Sequence, residues 1–150
     1  MPIEIPAPLA RFMDEHRVAR LATVDVRGRP FIVPVCYARE HTHFFSAIDE
    51  KPKRTAPRLL QRLKNIAVNP NVALLIDDYS DDWSRLAYVL IHGTAVILEP
   101  DSSPASAHAA AVAALRQKYP QYCEMRIDAS PAIQIEACRV RSWASSAIPS

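Results

Sequence analysis

The most chemically pointed stretch of the sequence is residues 51–64, KPKRTAPRLLQRLK. There Lys51, Lys53, Arg54, Arg58, Arg62 and Lys64 carry positive charge with no acid among them. Leu59, Leu60 and Leu63 recur at helical spacing and Thr55 is an expected N-cap, so Lys51, Lys53 and Arg54 stand just before a helix N-terminus. Free N–H groups and a partial positive charge gather at such an end, and cations added there make an anion site. Each charge-assisted hydrogen bond to a phosphate or carboxylate contributes about 1.5–3 kcal/mol. Ser46, a few residues upstream, adds a hydroxyl. Arg58 and Arg62 lie four apart, away from Leu59 and Leu63, and a solvated helix face accounts for Arg62. That explanation does not reach the three cations that precede the helix.

A second constellation is Asp77, Asp78, Tyr79, Asp81, Asp82, Trp83 and Arg85. The four carboxylates lack the glycine and terminal glutamate of a calcium loop, so an exposed acidic loop is expected. Tyr79 and Trp83 offer aromatic surface for stacking on a ring system or for anchoring an interface. His41 and His43 would share a strand face, but no acidic or third histidine partner is evident in the sequence, so a surface pair is expected. His92, beside Gly93 among apolar neighbours, reads as a core histidine. Cys36, Cys123 and Cys138 lie far apart without a CxxC pair, which argues against a disulfide framework or zinc site. Cys36 and Cys138 fall in strand patterns and read as small core residues. An anion pocket and an aromatic wall thus appear with no obvious acid, base or nucleophile and no catalytic side chain to name. That combination suits a protein whose organic cofactor carries the chemistry.

The elements that must position these groups are β-rich. Only two glycines stand against thirteen prolines, so GxGxxG, GxxxxGK and GxSxG turns are impossible, and with them Rossmann, P-loop and α/β-hydrolase folds. Leu9, Phe12, Met13 and His16 predict a helix over about residues 7–16. Residues 17–25 and 29–38 flank the turn Asp25-Val26-Arg27-Gly28 and read as a hairpin, with Pro30 and Pro34 marking an edge or bulge. Further strands are expected at 42–47, 71–79 and 86–99, the last bent at Gly93. The basic helix should stop at Asn69-Pro70, and an Ala-rich helix should run from Ser103-Pro104 to about Tyr119. In the strand at 132–144 the apolar alternation skips a residue between Ala137 and Cys138, which reads as a β-bulge. The sum is one mainly β (α+β) domain over residues 1–150: six strands curled into a barrel with two to three flanking helices. The interior of so small a barrel is filled by side chains, so a flavin-sized ligand needs an external groove, commonly completed by a second subunit. The net charge of +2 gives no reason to expect nucleic acid. No run reaches the ~20 apolar residues of a membrane span, and residues 1–16, with Glu4, Asp14 and Glu15, do not read as a signal peptide. A cytoplasmic protein is the expectation.

Five segments, RVARLATVDVRGRPFIVPVCYA, HFFSAIDEKPKR, NPNVALLIDDY, DWSRLAYVLIHGTA and RVRSW, follow one another in an order and spacing that resembles the pyridoxamine 5′-phosphate oxidase-like split β-barrel proteins. The branch most similar is that of the probable reductases dependent on the deazaflavin coenzyme F420. The resemblance covers about residues 10–99 and the strand ending at Trp143. It implies a homodimer with two cofactors in interface grooves and an oxidoreductase that passes hydride to a small organic acceptor. Coenzyme F420 is the cofactor it favours, with FMN as the alternative, and a non-enzymatic flavin or tetrapyrrole binder is a third reading. The strand containing Val33 and Pro34 would lie along the ring system. Ser46 and the segment Lys51, Lys53, Arg54 would hold the phosphate, Arg58 would extend the positive track, and Trp83 and Arg85 of the partner would close the groove. The chain is longer than the family pattern between residues 53 and 70, which leaves the phosphate position open between Lys51 and Lys53.

Overall fold

A computed structural model describes residues 3–48 and 60–146. Within them, α1 (Ala7–Glu15) is followed by β1 (Ala19–Val24), β2 (Pro30–Val35), β3 (Ala38–Glu40) and β4 (His43–Ala47). Then come α2 (Gln61–Val68), β5 (Asn71–Asp78), β6 (Ala87–Leu98), α3 (Ala107–Lys118) and β7 (Ala132–Ala144). The seven strands form one sheet in the order β2-β1-β5-β6-β7-β4-β3, every neighbouring pair antiparallel. The sheet curls without closing, which is the split β-barrel. Its two ends share one core: Val35 at the end of β2 and Phe44 of β4 join Leu21, Leu74, Ile91 and Ile133 in a single apolar cluster. Phe12 and Met13 of α1, and Leu63 and Ile66 of α2, complete that core. Buried Asn65 of α2 donates to the hydroxyl of buried Thr23 at 2.9 Å and accepts from Gln61 at 2.7 Å, which fixes α2 against β1 without an unpaired polar group.

The strand count is seven rather than six, because β2 and β3 are separate strands where the sequence suggests one. The break falls at Cys36-Tyr37. The Tyr37 N–H donates to the Tyr119 hydroxyl at 3.0 Å and its own hydroxyl donates to the Met13 carbonyl, so this segment serves tertiary contacts instead of a ladder. The proline-bearing strand β2 is an edge, as its missing donors require. The helix α3 starts later than Ser103: Ser106 is its cap, its Oγ accepting from the Ala109 N–H at 3.0 Å, while Asp101 binds the Ser103 N–H in a turn of its own. The helix expected from Thr55 begins, among the described residues, at Gln61 and ends at Asn69 before Pro70.

The bulge read at residues 137–138 is present. Gly93 pairs with Ala137 and His92 with Arg139, so Cys138 is the extra residue. A side chain at Gly93 would collide there: a Cβ would sit 2.6 Å from the Glu136 carbonyl oxygen and 2.7 Å from Ile135 Cγ2. Three facing expectations fail. Val89, Ile91 and Ala95 turn inward, so His92 is exposed with Leu90, Thr94 and Val96 on the other face. Cys138, left out of the ladder, is exposed as well, and Cys36 is only half-buried.

The bulge also divides the outer face of the sheet. Over β3, β4 and the first half of β7 lies α3, and a second cluster fills the gap: Ala38, Phe45, Ala47 and Ala132 against Ala111, Val112, Leu115 and Tyr119. Over β2, β1, β5, β6 and the second half of β7 no helix lies among the described residues. A row Pro34–Arg20–Leu75–Leu90–Arg141 crosses those five strands in register. Beside it Ile32 is 63% exposed and Trp143 45%, and farther along β6, opposite Gln134, Val96 is 46% exposed.

Candidate functional site

The residues singled out in the sequence fall into three groups. Lys51, Lys53, Arg54 and Arg58 lie outside the described residues. Val33 and Pro34 sit on edge strand β2, Val33 half-buried and packed on the core, Pro34 exposed. They lie opposite Leu21 and Arg20 of β1. Trp83 and Arg85 form a 3-10 turn between β5 and β6. That turn is built locally: the Asp82 carboxylate accepts from the Ser84 hydroxyl at 2.6 Å and the Ser84 N–H at 3.1 Å, contacts that hold its carboxyl below the usual carboxylate range. The Trp83 indole is thrust outward, 77% exposed, with Tyr79 exposed nearby in sequence.

Register shows which of these groups one chain gathers. Pro34 aligns through Arg20 with Leu75 near the end of β5, so Val33, Pro34, Trp83 and Arg85 occupy the same end of the sheet. Ser46 is buried on β4, and its register runs through Ile133 to Ile97. Ile97 and Ala87 are ten residues apart on β6, or roughly 33 Å of strand. Along β6, then, Ser46 is level with one end and the turn of Trp83 and Arg85 adjoins the other. Ser46 is nearer to β2 by another route: Ala38 pairs with Phe45, so Ser46 flanks the segment that continues from β2.

The acids beside Trp83 are mostly committed. Asp77 pairs with Arg20 at 3.3 Å and Asp78 with His16 at 2.8 Å, and His16 also meets the Phe12 carbonyl at 2.6 Å. Asp78, Tyr79, Ser80, Asp82 and Arg85 line a cleft of about 280 Å³, slightly below the roughly 300–1,000 Å³ of ligand pockets. No group of three or more His, Cys, Asp or Glu positioned for a metal occurs among the described residues. His43 does have an acidic partner that the sequence hid: Glu136, opposite it on β7, which also accepts from Thr42 at 3.0 Å. The outer-face arginines Arg20, Arg139 and Arg141 were equally invisible, since only register puts them on one face. A larger groove, about 830 Å³, lies beside α3, lined by Asp101, His108, Val112, Arg116 and Asp128, and contains none of the anticipated residues.

One chain therefore places an apolar strand edge, an exposed indole and a guanidinium at one end of the sheet. The fold defines the class, a split β-barrel protein. The chain belongs to the pyridoxamine 5′-phosphate oxidase family, whose model matches residues 5–144. Among solved structures it is similar to a conserved hypothetical protein from Mycobacterium tuberculosis (22% identity, 96% of this chain and 87% of that one, TM-score 0.73). It is also similar to HutZ, the heme storage protein from Vibrio cholerae (15% identity, 95% of each chain, TM-score 0.68), and to an F420 reductase (20% identity, 91% and 98%, TM-score 0.63). No curated protein matches in sequence. No helix among the described residues is long and apolar enough to cross a membrane.

Proposed function

We propose that the protein is a homodimeric oxidoreductase that binds the deazaflavin coenzyme F420 in grooves between its two copies and delivers hydride to a small organic acceptor. The observation that supports it most is the bare half of the outer face. Exposed Ile32, Val96 and Trp143 and half-buried Leu75 and Leu90 make an apolar surface that a second copy would cover. The half-site formed by Val33, Pro34, Trp83 and Arg85 lies at one end of that surface. Membership of a family named for an oxidase and a fold shared with an F420 reductase support a flavin-type cofactor.

When bound, the cofactor supplies the hydride chemistry. This chain's residues hold and enclose it. Val33 and Pro34 give the ring an apolar floor with no competing N–H at Pro34. Trp83 of the partner covers the ring and excludes water. Arg85 of the partner meets negative charge on the cofactor, and Lys51, Lys53 and Arg54 clamp the phosphate, with Ser46 beside them and Arg58 extending the track. FMN is the alternative occupant of the same groove.

Fluorescence titration with coenzyme F420 and with FMN tests the reading. F420 should bind the tighter of the two, and the reduced form should turn over with a menadione-like acceptor. Loss of one clamp cation, in Lys53→Ala or Arg54→Ala, should raise the Kd roughly tenfold to a hundredfold, whereas Arg62→Ala should change it little. Tight FMN binding with no F420 binding selects the alternative. A Soret band on haemin titration with neither flavin bound overturns the oxidoreductase reading in favour of a tetrapyrrole binder.

A further inference from the structure

The end of α3 carries a titratable group that none of this uses. The Lys118 Nζ is closed off from solvent and makes no hydrogen bond among the described residues. It lies 3.9 Å from the centroid of the Tyr37 ring and 5.6 Å from that of Tyr119. An ammonium has three donors to satisfy, and this one has exchanged all three for a ring face.

The groups around it come from every element that packs there. Arg17, just after α1, donates to the Lys118 carbonyl at 2.6 Å and lies 5.4 Å over the Tyr119 ring. Arg39 of β3 and Asp14 of α1 face the same place, but Asp14 is already held by two Arg39 contacts at 2.9 and 2.7 Å. The Cys36 thiol is within electrostatic reach. The tyrosine hydroxyls are spent, Tyr37 on the Met13 carbonyl and Tyr119 on the carbonyls of Arg17 and Tyr37. Glu40 and Gln117 join Asp14, Arg39 and Lys118 in lining an adjoining cleft of about 280 Å³. Two guanidinium groups and one shared carboxylate therefore surround an amine with no partner of its own.

We propose that Lys118 is a carbamylation site, at which the amine captures carbon dioxide. The nitrogen lone pair attacks the carbon, one C=O electron pair moves onto oxygen, and a nitrogen proton passes to solvent. The amine and CO2 become a carbamate and H⁺, with no oxidant or reductant needed. Three features of the site favour this chemistry. Burial draws the amine's pKa down to about 8, Asp14 and Cys36 opposing and Arg17 and Arg39 adding to the depression, so a useful fraction is neutral near neutral pH. The reaction reverses the sign of the charge, so the arginines that oppose an ammonium stabilise a carbamate. Arg39 uses three of its five N–H donors on the Asp14 carboxylate and the His41 carbonyl, leaving two for the new oxygens. Finally, CO2 is a three-atom molecule and can reach a nitrogen that bulkier electrophiles cannot.

The chain has four lysines, Lys51, Lys53, Lys64 and Lys118, which makes the test clean. The whole protein is equilibrated with ¹³C-bicarbonate, and the carbamate is trapped as its ethyl ester with triethyloxonium and located by peptide mass. A lysine amine at the ordinary value of about 10.4 is almost wholly protonated at pH 7.5, so Lys118 should be labelled at least about tenfold more than any other lysine. Labelling should rise with dissolved CO2 and with pH from 7 to 8.5. The ¹³C carbamate resonance should vanish in Lys118→Arg, whose fold is checked by its circular dichroism. If Lys118 carries no label, if the label spreads evenly over the lysines, or if the resonance survives in a folded Lys118→Arg, the proposal is wrong.

Discussion

The two halves of the sheet's outer face are made of similar residues and meet opposite fates. Under α3, Phe45 is 4% exposed and Ala132 2%. Across the bulge, Ile32 is 63% exposed and Trp143 45%. A sheet that is apolar on both faces needs a layer on each, and the barrel interior supplies one. The chain spends its own helix α3 on half of the outer face, and the described residues leave the other half open. The open half also carries Pro34 on the edge strand and adjoins Trp83, whose turn is held by local hydrogen bonds of Asp82 and Ser84. Covering by the chain's own helix builds stability. The uncovered half is where the proposed second copy would sit, so the two halves should answer mutation differently.

The largest effect is expected at the border between them. Gly93→Val forces a side chain into the Glu136 backbone and should cost about 4 kcal/mol, read by urea unfolding. In the covered half, Leu115→Ala removes a fully buried side chain of α3 and should cost about 3 kcal/mol without altering self-association. Lys118, at the end of the same helix, works in the other direction. Its folded pKa of about 8 lies below its ordinary value of 10.5, so between those pH values the unfolded chain binds the proton that the native chain has lost. Stability should rise with pH through that window, and the full penalty of the buried ammonium is present below it. Lys118→Met should therefore stabilise the protein at pH 7 by about 1–2 kcal/mol, less than the whole shift because the covered amine borders the open cleft that Lys118 lines with Asp14 and Arg39, and by nothing above pH 10.5. The smallest change in folding stability is expected on the bare half. Ile32→Asp should shift the stability of a single chain by less than about 0.5 kcal/mol. If the proposed dimer forms through this face, the same substitution should leave a 16.7 kDa monomer in light scattering. An Ile32→Asp chain that unfolds as readily as Leu115→Ala would erase the distinction between the halves.

Much of this architecture is legible in the sequence wherever the signal is local. Phe12 and Met13 mark the buried face of α1, Pro30 and Pro34 mark an edge strand, and the skipped beat at Ala137-Cys138 marks the bulge. What is misread depends on partners distant in the chain. His92 reads as core because its strand neighbours are apolar, yet Leu90 and Val96 are apolar for the bare face, not for the interior. Cys36 and Tyr37 read as strand because nothing nearby announces that Tyr119, 82 residues on, takes the Tyr37 N–H. The candidate site is split in the same way. The exposed positions of Trp83 and Pro34 follow from local turn and proline chemistry. Their shared end of the sheet, and the arginine row beside them, follow from register alone.

Cys138 is exposed, stands outside the ladder and belongs to neither apolar cluster, so by burial alone it is among the most dispensable residues of β7. Its deletion, unlike the deletion of an ordinary strand residue, would leave the pairing intact. Side-chain facing has a period of two, and Cys138 is the one residue that the period skips. Without it Ala137 still meets Gly93, Arg139 still meets His92, and Val140 and Ala144 still turn toward the barrel. What the strand would lose is the local bend and extra twist that a bulge supplies, so the codon encodes a curve in the sheet and not a contact.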